Sequence, residues 1–79
     1  MDTKELERIA EKLEKLEHKE YKDSGLYMHN GGFVEIEYHD YDEEYIYVEI
    51  KSGVQGGADD DYVRYENNKL DRKTLEFIN

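Results

Sequence analysis

The residues of this chain whose types and spacing could do chemistry are carboxylates interleaved with tyrosines. They are Glu35 and Glu37, then Asp42, Glu43, Glu44, Tyr45, Tyr47 and Glu49, and then Asp59, Asp60 and Asp61. Along a β-strand, residues i and i+2 point the same way about 6.6 Å apart, so Glu35 and Glu37 would form a short carboxylate ladder. Glu49 of a neighbouring strand could join it. Tyrosine rings between such charges add flat contact area and a hydroxyl at small entropic cost, a combination enriched in protein interfaces. The chemistry is that of recognition. Fixed negative charges in rows attract a basic cleft, and aromatic contacts then slow departure from it.

Other chemistries fit the residues poorly. The chain has no cysteine, so it has no thiol nucleophile, no disulfide and no thiolate metal site. His18, His29 and His39 could ligate a metal with Glu35, Glu37 and Asp40, but they match no zinc spacing, and the place of His18 near the C-terminal end of a helix, where a cation is favoured, explains it without a metal. No metal and no cofactor is expected. The run Asp40-Tyr41-Asp42-Glu43-Glu44 lacks the glycine and the later glutamate of a calcium loop. Gly53-Val54-Gln55-Gly56-Gly57 is followed by acids that would repel a phosphate. Ser24 and Ser52 have no His and Asp pattern pointing at them. Paired carboxylates could hydrolyse glycosides only in a deep cleft, which a chain of 79 residues cannot easily build. The expectation is a protein that is not an enzyme.

The charge itself is uneven. The formal net charge is −10, from 21 Asp and Glu against 11 Lys and Arg. Residues 1–23 carry a net −2, residues 24–66 a net −9, and residues 67–79 a net +1. Direct binding to a nucleic-acid backbone is therefore disfavoured, because the phosphates would be repelled. No apolar run is long enough to span a membrane. The charged residues after Met1 do not read as a secretory leader, which makes a cytoplasmic location the expectation.

The elements that must position these residues follow from periodicity. Leu6, Ile9, Ala10, Leu13 and Leu16 mark one face of a helix from about Thr3 to about Lys19, with Asp2 or Thr3 as cap. Leu26 to His29 reads as a strand before an Asn30-Gly31-Gly32 hairpin turn. Val34, Ile36 and Tyr38 alternate with Phe33, Glu35 and Glu37. Ile46, Val48 and Ile50 then alternate with Tyr45, Tyr47, Glu49 and Lys51 in the clearest strand of the chain. Ser52 to Asp61 reads as a mobile loop, Tyr62 to Glu66 as a short strand, Asn67-Asn68 as a turn, and Leu70 to Asn79 as a last strand. The fold class is α+β: one single domain over 1–79, in which an N-terminal amphipathic helix (1–23) packs on an acidic antiparallel meander of four to five strands (24–79).

In composition the chain resembles the small acidic inhibitors that phages use against host nucleases and CRISPR effectors. No motif is matched residue by residue, so no site is carried over. The resulting expectation is a non-catalytic, phage- or mobile-element-encoded inhibitor that mimics a nucleic-acid backbone. It would block the basic groove of a nucleic-acid-binding protein through the carboxylates and tyrosines named above. An immunity protein or antitoxin for a basic nuclease toxin rests on the same physics. The alternative from a different class is a structural oligomerisation domain, possible as a homodimer, that shares its helix stripe or its Ile46-Val48-Ile50 face while its acidity only keeps it soluble.

Overall fold

The computed structural model of the chain describes residues 1–56 and 61–78. Helix α1 spans Thr3–Asp23. The Asp2 carboxylate accepts the Glu5 backbone N–H at 2.8 Å, which satisfies one of the donors that a helix start leaves unpaired. At the other end Ser24 caps the helix, and Gly25 takes a φ of 80°, the left-handed conformation that releases the chain from the helix.

Three strands follow: β1 (Gly32–Tyr41), β2 (Tyr45–Val54) and β3 (Tyr62–Asp71). They form one antiparallel sheet in the order β1-β2-β3, so β2 is central and the other two are edges. Alternation along the strands sends Val34, Ile36, Ile46, Val48, Ile50 and Leu70 to the face that meets Ile9 and Leu13 of α1. Ile46 and Leu70, opposite each other across β2 and β3, are both 0 % exposed and form the centre of the core. Helix α1 lies over β1. Leu6 and Ala10, expected on the buried face, remain exposed because the helix meets so narrow a sheet mainly through Ile9, Leu13 and Leu16.

The architecture is thus α+β, with three strands where four to five were expected, and two differences account for the count. Leu26–Met28 forms a 3-10 turn, closed by bonds from the Met28 and His29 N–H groups back to Gly25 and Leu26. These local bonds use the backbone groups a strand would have offered, and Asn30-Gly31-Gly32 becomes the entry to β1 instead of a hairpin. Gly31, at a φ of 84°, is required there, since a Cβ would sit 2.1 Å from the Gln55 carbonyl oxygen.

The second difference is at β3, which runs straight through Asn67 and Asn68. Pairing with Glu49 and Val48 outweighs their turn preference. The turn falls later, where the Asp71 carboxylate accepts the N–H groups of Lys73 and Thr74. The last residues then return along β3 with a single bridge, Leu70 to Phe77, in place of a full strand. Leu75 is held at a φ of 59°, unusual for a leucine, and its side chain is buried in the core. The expected loop 52–61 is shorter at its start, because Ser52 to Val54 belong to β2, while residues 57–60 lie outside the described residues. Among the described residues no helix is long and apolar enough to cross a membrane.

A core this small leaves little margin. Ile46→Ala or Leu70→Ala is expected to cost about 2–5 kcal/mol, enough to unfold much of the population at room temperature. Urea denaturation of the two variants beside the unaltered chain checks this.

Candidate functional site

The sheet face turned away from α1 is covered by no other element among the described residues. Register fixes its rows. Phe33, Gly53 and Val63 form one row, and Glu35, Lys51 and Tyr65 the next. Glu37, Glu49 and Asn67 follow, and then Asp40, Tyr47 and Lys69. Five of the expected site residues, Glu35, Glu37, Tyr45, Tyr47 and Glu49, are brought together here. The others are not. Asp42, Glu43 and Glu44 form the β1–β2 turn at one end of the sheet. Asp61 stands before β3 at the opposite end, about 30 Å away along strands of this length. Asp59 and Asp60 lie outside the described residues.

The face is also less uniformly negative than the sequence suggested. Lys51 and Lys69 stand on it, with the Lys51 ammonium 5.7 Å from the Phe33 ring centre and that of Lys69 4.1 Å from the Tyr45 ring centre. Tyr45 and Tyr47 meet edge to face at 6.4 Å, which fixes both rings as a rigid aromatic pair.

Asp42 has a structural task. One carboxylate oxygen accepts the N–H groups of Glu44 and Tyr45 at 2.8 and 2.7 Å, and the other accepts the Tyr47 hydroxyl at 2.5 Å. The Tyr47 hydroxyl first, and the two backbone N–H groups after it, hold the Asp42 carboxyl below the usual aspartate range. The same bond raises the Tyr47 phenol, so the ring stays a neutral donor. The turn is braced by Arg72, which donates to the Asp42 carbonyl at 2.7 Å and to Glu5 of α1 at 2.6 Å and lies 5.1 Å from the Tyr41 ring centre. Glu43 and Glu44 are left exposed on the turn.

A β-bulge between Tyr38 and Asp40 adds a constellation that sequence spacing did not reveal. Here two residues of β1, His39 and Asp40, oppose Tyr47 alone. Glu37, His39 and Glu49 offer ligand atoms within 4.8 Å of one another, and these are the groups among the described residues that could hold a metal ion. His39 Nε2 stands 4.0 Å from Glu37. Glu37 and His39 are separated by one residue on a strand, a visible signal, but the contribution of Glu49 depends on a register that only the folded sheet supplies. Beside this face, α1 and the β1 edge enclose an open groove of about 1020 Å³ lined by Glu14, Glu17, His18, Tyr21, Phe33 and Glu35.

The Asp42 network has a definite pH signature. A carboxyl whose folded pKa is depressed stabilises the fold above its unfolded value and loses that contribution as pH falls through the folded one. Asp42→Asn is therefore expected to melt below the unaltered chain at neutral pH. The gap should close as pH falls below the ordinary aspartate range, which thermal melts of both proteins at neutral and increasingly acid pH measure. Comparison with protein-family models, curated proteins and solved structures finds no match to this chain.

Proposed function

We propose that this chain is a non-catalytic binding protein whose open sheet face, continued by the acidic β1–β2 turn, docks in the basic groove of a nucleic-acid-binding protein and excludes its nucleic acid. The observation that supports this reading is the placement of Glu35, Glu37, Tyr45, Tyr47 and Glu49 together on the face that the helix leaves bare. An antiparallel sheet can present one face to water. Here that face combines carboxylates in rows with an interlocked tyrosine pair, a surface suited to charge-steered docking followed by aromatic contact. The carboxylates stand in for backbone phosphates. The partner would be a nuclease or a CRISPR effector, and the chain, phage- or mobile-element-encoded, its stoichiometric inhibitor. Because Asp42 is committed to its own turn, Glu43 and Glu44 carry the charge at that end.

The face meant for self-association in the structural alternative, Ile46-Val48-Ile50, is directed towards the chain's own helix. That leaves the bare outer face as the surface for a partner.

Immobilised protein is expected to retain a basic nucleic-acid-binding protein in about 0.05 M salt and to release it by about 0.5 M. DNA or RNA should compete. A Glu35→Lys, Glu49→Lys double variant should weaken capture about tenfold or more. Capture indifferent to salt, to nucleic acid and to the double variant would sink the reading.

A further inference from the structure

β3 is an edge strand whose outer rim is occupied only at one end among the described residues. There the Ile78 N–H donates to the Lys69 carbonyl at 3.0 Å and the Asp71 N–H donates to the Glu76 carbonyl at 2.8 Å. Backbone groups alternate sides along an antiparallel strand. These bonds therefore fix which residues of β3 aim outward: Val63, Tyr65 and Asn67 share the parity of Lys69 and Asp71. Among the described residues nothing takes their outer N–H and C=O groups. The other edge is treated differently, since Glu17 of α1 accepts the outward Ile36 N–H of β1 at 2.8 Å. An open rim of this length invites another strand.

We infer that the open rim of β3 pairs antiparallel with the same rim of a second copy of this chain, about a two-fold axis through Tyr65. The rim is free over 62–68, between the start of β3 and the returning tail, and Tyr65 is its midpoint. Symmetric pairing there places Tyr65 opposite the second copy's Tyr65, with outward backbone groups meeting at the axis. Val63 then faces Asn67, again with matching parity.

The charges choose the register. Arg64 falls opposite Glu66 and Glu66 opposite Arg64, and both are exposed with no ion pair inside their own chain among the described residues. Slipping the strands by two in one direction sets Arg64 against Arg64, and in the other direction Glu66 against Glu66. Like charges directly opposite are unfavourable, so the centred register is the one both copies favour.

Space and apolar surface agree with this. Because α1 lies over β1, the helix side of β3 borders an open groove of about 560 Å³ whose walls include Leu26, Ile50, Phe77, Arg64 and Glu66. The arriving strand would line its open side. The ring of Tyr65, 64 % exposed, would meet its twin on the opposite face. Pairing leaves the acidic face of each copy open and joins the two into one wider surface. The inference goes beyond the proposed recognition function and is read on the chain alone, without its partner.

Sedimentation velocity from about 1 μM to about 1 mM is expected to show a reversible monomer–dimer equilibrium. Arg64→Glu and Glu66→Arg should each weaken it about tenfold or more, and the two together should restore it. Tyr65→Pro, which deletes an outward N–H at a position where an edge strand tolerates proline, should abolish it while the circular dichroism spectrum is kept. A monomer at the highest concentration, a dimer unmoved by the single reversals, or a double reversal that fails to restore pairing would each overturn the proposal.

Discussion

A sheet has two faces, and one helix can bury only one of them. That constraint organises the molecule. With a helix of 21 residues and strands of 10 residues each, the apolar side chains go to a single layer between α1 and the sheet, centred on Ile46 and Leu70. Every other strand residue must tolerate water. The outer face consequently holds carboxylates, lysine stems and tyrosines, whose rings accept partial burial while their hydroxyls stay hydrated. The acidity, the tyrosine content and the bareness of the outer face are three aspects of one shortage of covering elements.

The same constraint separates acids that hold the protein together from acids that are free to meet a partner. Asp2 caps a helix, Asp42 and Asp71 each close a turn by accepting backbone N–H groups, and Glu5 grips Arg72. These carboxylates are spent internally. Glu35, Glu37, Glu43, Glu44 and Glu49 carry no such duty, apart from the approach of His39 to Glu37. A net charge read from composition counts both kinds alike, which is why it overstates the surface available for docking.

Much of the fold was legible in the sequence where a period was sustained. The heptad-like spacing of Ile9, Leu13 and Leu16 and the alternation of Ile46, Val48 and Ile50 are satisfied by burying one face, and the structure buries those faces. Legibility failed where local and distant bonding compete. Asn67 and Asn68 favour a turn on their own, yet they pair with β2, and Leu26 to Met28 favours extension yet closes on itself. The meeting of Glu37, His39 and Glu49 was hidden for a related reason. It depends on a bulge and a cross-strand register, neither of which is written in the spacing of any one segment.

The clamp at Arg72 has a consequence in time as well as in space. The meander joins neighbours in sequence, β1 with β2 and β2 with β3, so its loops are short and their closure is fast. Arg72 instead joins Glu5 across 67 positions of sequence, the longest-range side-chain hydrogen bond among the described residues. It cannot form until residues 5 to 72 have all been made. Arg72 therefore locks the first turn of the helix to the turn after β3 only once all three strands have been made, and a ribosome-bound fragment ending before it would have its strands without its latch.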